Sequence, residues 1–337
     1  MTAANYYISR FYHLAVRCGL DADALIAEVG IDKKVIDVPG RRVDAEKLAA
    51  VLVAIWDALN DEAMSLSESP IPRGSFYMMG KLTLHEPTLR KALKQFIRFY
   101  AIATNAYTMR LDIEGERALL TFDVNAPELD DEHLLAEIHL MSLHRYSSWL
   151  IAENIPLSEV FFAYPAPPQV KEYSFLFPGK HVFEAPYMGF SFSARYLDQE
   201  TVQDVSSLKT FMRRCPVELF LQPKTDFSVT GDVQALLQSS VEHGFPTARE
   251  VANQLHLTRR TLMRRLSDEG SSFQQIKDLI RRDKAIYLLT SHPLAVSEIA
   301  DKVGYSDPAV FARAFKSWTG LSPRDYRSNY SRQRPNE

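Results

Sequence analysis

Cysteine is scarce, with two in 337 residues, Cys18 and Cys215. That count excludes a disulfide framework and a cysteine-based zinc cluster, and it fits a reducing compartment. Long apolar runs are lacking as well. The longest near the start, Leu48 to Trp56, breaks at Asp57 and is too short to span a bilayer. No basic stretch followed by an apolar one and a small-residue cleavage site opens the chain, so no export signal is expected. The expected location is cytoplasmic, with no membrane partner. Nor is there a large excess of one charge, since the whole chain sits at −3.

That near-balance hides an asymmetry. Residues 245–337 hold 16 Lys and Arg against 10 Asp and Glu, a net +6, while the rest of the chain is at −9. A basic C-terminal part joined to an acidic N-terminal part suits a DNA reader with a separate regulatory domain; ordinary surface scatter is the plainer reading. Hydrophobic content of 46% and charged content of 24% are those of a soluble globular protein, and the length suggests two domains.

The N-terminal part reads as mixed α and β. Residues 5–60 look helical, with Asp21 and Asp44 placed as N-caps and Pro39-Gly40 between them. A helix starting at Pro87 carries Leu89, Leu93, Phe96, Ile97 and Tyr100 on one face. Tyr107–Ile113 and Ala118–Val124 flank Glu114-Gly115-Glu116 as a hairpin would. A long helix is expected over 130–153, strands over 160–164 and 189–193, and a loop at Pro165–Pro168. The turn-rich stretch from Gln222 to Gly231 is the best boundary. It divides the chain into residues 1–221, a linker at 222–231, and a helical domain at 232–332. The fold class expected is an α+β regulatory domain followed by an all-α domain.

The helical domain contains a repeat. Glu250-Val251-Ala252, Leu255, Leu257-Thr258, Leu262, Arg264, Leu266 and Gly270 recur as Glu298-Ile299-Ala300, Val303, Tyr305-Ser306, Phe311, Arg313, Phe315 and Gly320. The offset is 48 at first, 49 after the turn and 50 at the last glycine. Each copy has the logic of a helix-turn-helix: a small residue for close approach, then a hydroxyl (Thr258 or Ser306) able to cap the second helix. The outer face of the first copy offers Arg259, Arg260, Thr261, Met263, Arg264 and Arg265; that of the second offers Pro308, Ala309, Ala312, Arg313 and Lys316. Arginine can grip guanine in the major groove, and any basic side chain can neutralise phosphate. One run of arginines is usually a solvated face, but an Arg at matching positions of two copies makes that account weaker. Residues 272–290 read as one long helix, a rigid spacer that would hold the copies about 34 Å apart, in successive major grooves.

Taken together, Arg264-Arg265-Leu266, Ala300–Asp307, Phe311–Lys316, Trp318–Pro323 and Tyr326-Arg327 closely resemble the AraC/XylS family of bacterial regulators, over about residues 232–330. The resemblance implies two helix-turn-helix units in one monomer joined by a long helix. On that pattern the base-facing positions are Arg260, Met263 and Arg264, then Ala309, Ala312 and Arg313, with Trp318 and Pro323 structural. Arg42-Val43-Asp44, Gly80-Lys81-Leu82 and Pro87–Leu93 look like the ligand-binding and dimerisation domain of the ornithine-utilisation-regulator branch, which carries an arabinose-binding-type domain. Candidate partners are therefore double-stranded DNA, a second copy of the chain, a small-molecule effector and RNA polymerase.

Other features carry less. Gly74 to Leu82 mimics a P-loop, but five residues separate its glycines and Leu82 stands where Mg²⁺ needs a hydroxyl, so it packs in the core or lines a cavity. His133, His139 and His144 are six and five apart, spacings that do not share a helix face, and no metal is expected. Cys215-Pro216 has no recognisable base nearby and reads as a boundary residue. Neither catalytic residues nor a cofactor are expected. Phe76, Tyr77, Phe96, Phe99, Tyr100, Tyr107 and Tyr146 line a small-molecule pocket or form plain core. The 130–153 helix is apolar on more than one side. Leu135 and Leu143 face either a partner subunit or the domain's own interior.

Overall fold

The structure, a computed structural model, describes residues 2–36, 42–168, 170, 173, 176–220, 229–240, 245–255, 257–268 and 271–331. Two aspartates start the N-terminal half as their positions suggest. Asp21 accepts the Ala24 N–H at 2.9 Å and Asp44 accepts that of Glu46 at 2.9 Å. Helix α1 spans Asn5–Arg17, α2 Ala22–Glu28 and α3 Ala45–Leu59. This stretch is not helical throughout: β1 (Thr2–Ala4) pairs antiparallel with β2 (Arg42–Asp44), which delivers Asp44 to its cap.

Gly74 to Leu82 is not a loop. Residues Ser75–Thr83 form α4, and Gly80 serves packing, because a Cβ there would lie 2.8 Å from Leu208. Helix α5 (Leu89–Ala103) buries Leu89, Leu93, Phe96 and Tyr100. The hairpin β3 (Tyr107–Glu114) and β4 (Arg117–Val124) forms in full register from Tyr107↔Val124 to Glu114↔Arg117. Helix α6 (Leu134–Leu150) follows, then β5 (Leu157–Phe161), β6 (Lys180–Val182) and β7 (Met188–Ser193). The expected strand at 160–164 therefore begins three residues earlier, and β6 was not anticipated. The sheet order is β3-β4-β7-β5-β6, antiparallel except for β5 with β6. Gly189 sits at φ +155°, with Leu120 O and Thr121 so close that no side chain fits; this is where β7 pairs with β4.

Helix α6 is the centre of this half. Leu135 and Leu143 are each 1% exposed in the single chain, so both are consumed by the chain's own core and neither can meet a partner. The interface expected there is corrected accordingly. At Glu137, fully buried on the same helix, the hydroxyls of Tyr7 and Tyr173 donate at 2.6 Å and Arg10 pairs at 3.3 Å, tying α1 to α6. Helix α7 (Val205–Leu219) closes the half and carries Cys215 as a buried residue, not a boundary one.

Residues 222–228 of the expected linker lie outside the described residues, as does Gly270, and 229–231 begin α8 (Val229–Ser239). Helices α9 (Ala248–Gln254), α10 (Arg259–Asp268), α11 (Phe273–Ser291), α12 (Val296–Lys302), α13 (Pro308–Thr319) and α14 (Pro323–Ser331) complete the chain. They build two apolar clusters. One takes Val251, Leu262 and Leu266 with Phe273, Ile276 and Ile280 of α11. The other takes Ile299, Phe311 and Phe315 with Ile286 and Leu289 of the same α11. Among the described residues, no helix is long and apolar enough to cross a membrane.

Candidate functional site

The repeat folds into two alike units, α9–α10 and α12–α13. Glu250 and Glu298 recur because each caps its own helix: Thr247 N–H donates to Glu250 at 2.7 Å, and Ala295 N–H donates to Glu298 at 2.6 Å. Ala252 and Ala300 are fully buried, and the carbonyl of each closes the turn, accepting from Leu257 N–H at 2.8 Å and Tyr305 N–H at 2.9 Å.

The second helices differ at their starts. Thr258 Oγ1 accepts the Thr261 N–H at 3.1 Å, capping α10 as expected. Ser306 does not cap α13. Asp307 does, accepting the Ala309 N–H at 2.7 Å, with Pro308 in the first turn. The extra residue that changes the offset from 48 to 49 falls in this turn, so Thr258 corresponds to Asp307.

Leu262 and Leu266, and likewise Phe311 and Phe315, are buried against their own unit, which turns the other face of each helix outward. Thr258, Arg259, Arg260, Met263 and Arg264 are exposed, as are Ser306, Ala309, Arg313 and Lys316; Thr261 and Ala312 are half-buried. Among the described residues none of Arg259, Arg260, Arg264, Arg265 or Arg313 makes an ion pair. Cations left without protein partners on an outward helix face retain their attraction for phosphate. The first helix thus presents four arginines and Met263, the second one arginine, one lysine and two alanines.

Helix α11 joins the units, and Arg281 on it touches both. Its guanidinium lies 5.1 Å from the centre of the Phe245 ring and 4.5 Å from that of Tyr305, and it donates to Gly304 O at 2.8 Å. Sequence reasoning passed over Arg281, whose partners are 36 residues before it and 24 after it in the chain. Trp318 packs edge-on against Tyr305 and Phe315, and Pro323 opens α14.

The N-terminal half holds a partly open cavity of about 200 Å³. Five of the aromatics grouped from the sequence line it: Phe76, Tyr77, Phe96, Tyr100 and Tyr107. Phe99 and Tyr146 do not. Tyr146 packs behind the wall against Phe76, ring centres 5.5 Å apart, with its hydroxyl bonded to Thr83. The remaining wall includes Trp56, Glu62 and Arg73, then Leu135 and His139 from α6, and Met212 and Cys215 from α7. Leu135 thus faces this cavity, and His139 stacks on Tyr107 at 3.9 Å. Burial pushes the His139 imidazole down to about 3, so it is neutral near pH 7.

Comparison with known proteins agrees with both halves. Residues 19–201 match the family described as "Arabinose-binding domain of AraC transcription regulator, N-term", which is more than half of the chain. Residues 251–329 match a helix-turn-helix domain. The chain is 26% identical to the ornithine utilization regulator of Pseudomonas aeruginosa over 330 residues, 95% of each protein. It is 38% identical to the HTH-type transcriptional regulator VqsM of the same organism over 95 residues, 28% of this chain and 29% of that one. Among solved structures, the transcriptional regulator CdpR from Pseudomonas aeruginosa aligns at 20% identity with a TM-score of 0.33, covering 85% of this chain and 98% of that one.

Proposed function

The chain belongs to the AraC transcription regulators, and from that premise we propose that it is a sequence-specific DNA-binding regulator acting in the cytoplasm as a homodimer, with two major-groove readers per monomer and a small-molecule effector held in the N-terminal cavity. The observation that carries the DNA reading is the pair of outward helix faces on α10 and α13, each with an arginine, Arg264 or Arg313, at the matching position. The base contacts would come from Arg260, Met263 and Arg264, and from Ala309, Ala312 and Arg313. Thr258, Arg259, Thr261, Ser306 and Lys316 would hold the backbone. Small alanines suit contact with thymine methyl groups, where no hydrogen bond is made.

Dimerisation rests on a specificity argument. One monomer covers about two helical turns, and pairing on repeated sites raises avidity through effective concentration. The interface lies on a surface other than Leu135 and Leu143. Selection of bound duplexes from a random pool by the full chain tests the proposal. The expected result is two constrained segments about ten base pairs apart per monomer. A single constrained segment, or no enrichment, would overturn it. Sedimentation of the full chain tests the dimer separately, and a monomer at tens of micromolar would remove it.

A further inference from the structure

We infer that the N-terminal cavity takes an uncharged, largely apolar ring compound held by one hydroxyl or carbonyl group at His139 and the Tyr100 and Tyr107 hydroxyls, and not a polyhydroxylated sugar. This rests on the effector reading above and narrows it to a chemical class.

Charge comes first. Among the described residues, Glu62 and Arg73 are the formal charges of the wall, and each is already engaged. The Glu62 carboxylate accepts the N–H groups of Gly74 at 2.8 Å and Phe76 at 3.0 Å and lies 3.6 Å from Arg73. Arg73 in turn donates to Asp57 at 2.7 Å and lies 5.1 Å from the Trp56 ring centre. A charged ligand would lose its hydration and find no uncommitted counter-ion, the costliest kind of burial.

The polar groups point to one small anchor. His139 is 93% buried, and its Nε2 has no hydrogen-bond partner among the described residues. Such a group is ordinarily satisfied, and His139 is one of the residues that line the cavity. The Tyr100 and Tyr107 hydroxyls likewise make no hydrogen bond among the described residues. A neutral imidazole offers one donor and one acceptor, and a phenol offers both, so this corner satisfies a hydroxyl or a carbonyl equally well. Most of the remaining wall is aromatic and aliphatic; the Ser142 hydroxyl already donates to Ile138 O at 2.8 Å, Cys215 adds a thiol, and no Asn or Gln amide is among the described lining residues. A sugar needs partners for several hydroxyls, and each one buried without a partner weakens binding.

Titration of the full chain with matched probes, read by the fluorescence of Trp56, tests the inference. Of the three tryptophans, Trp56 is the one in the cavity wall, and Trp56→Phe gives the blank. Benzyl alcohol, a fragment of eight heavy atoms, is expected to bind with a Kd of about 1 mM, with benzoate and benzylammonium at least about tenfold weaker and L-arabinose silent. His139→Phe keeps the ring stack and removes the nitrogen, so it should abolish the preference for benzyl alcohol over toluene while toluene still binds. If benzoate, benzylammonium or L-arabinose competes with benzyl alcohol at equal or better affinity, the ligand class is wrong and the pocket reading survives. If His139→Phe keeps the preference, the anchor is wrong. If no probe changes Trp56 emission, both the class and the pocket reading fall.

Discussion

The two repeat units of the helical half share a plan and differ in what they show to solvent. Both use a buried alanine, a carbonyl-closed turn and a returning glutamate. The outward face of α10 is dominated by Arg259, Arg260, Arg264 and Arg265, with Met263 at 39% exposure, whereas α13 sets Ala309 and Ala312 beside a single arginine, Arg313. What the two units share is what folds them, and what differs lies on the outward face. On the proposed reading, the first unit would bind mainly through charge and hydrogen bonds, the second through close fit with Arg313 and Lys316.

Salt should expose this difference most strongly. If the arginines of α10 and their neighbours engage about six phosphates, affinity of the full chain falls by about 10³-fold between 50 and 200 mM salt. Removing Arg259 and Arg265 together should flatten that slope more than removing Lys316. An unchanged slope would break the assignment of phosphate binding to the first unit. Next, Arg264→Ala and Arg313→Ala should each cost about 1–3 kcal/mol on the selected site and much less on random duplex. Equal losses on both duplexes would reduce these arginines to phosphate contacts.

A smaller effect sharpens the comparison at the helix starts. Asp307→Ala should destabilise α13 by about 1 kcal/mol, as Thr258→Ala should α10, while Ser306→Ala should cost little. Hydrogen exchange of the α13 amides reads it, and a larger loss for Ser306 than for Asp307 would reverse the capping scheme.

The smallest effect on DNA binding is expected from the far half. Burial raises the Asp130 carboxyl from 3.8 to about 7. The folded chain thus keeps a proton that the unfolded chain releases, so this group costs stability progressively as pH rises from about 4 to 7. His139 and His144, both lowered from 6.5 to about 3 by burial, act oppositely and add stability as pH rises through about 3 to 6.5. Asp130→Asn should therefore make thermal stability rise more steeply over this range, with DNA affinity at constant pH unchanged. A shallower rise would mean that Asp130 is ionised in the fold. The amide carbonyl of that variant can still accept one of the two N–H bonds, from Leu135 and Ala136, that the aspartate takes at the start of α6.

Much of this was legible where the cause is local. The caps at Asp21 and Asp44, the hairpin around Gly115 and the repeated Glu-x-Ala of the two units all depend on neighbours within a few residues. The errors arose where a distant segment decides. The P-loop-like stretch from Gly74 to Leu82 packs as expected, but its helical form and the closeness of Gly80 to Leu208, far along the chain, were not legible. Leu135 and Leu143 looked like surplus apolar surface until α7 and the sheet covered α6 on its other sides. The aromatics of the cavity were recognisable as a group, but only the fold separates Tyr146, bonded to Thr83, from the five that face the space. Ser306 was matched to Thr258 at an offset of 48 by residue type, whereas the change to 49 falls just before the cap and sets Asp307 there.

Arg281 carries one more consequence. A side chain set against Phe245 of one unit and Tyr305 of the other, on a helix common to both cores, would make the pair a caliper with a fixed opening. Adding one base pair between half-sites turns the second groove by about 34°, and a rigid caliper cannot follow that rotation. The protein should thus tolerate changes of sequence inside a half-site better than a change of one base pair between them. Arg281→Ala, by slackening the joint, should relax that intolerance and leave the preferred bases of each half-site as they were.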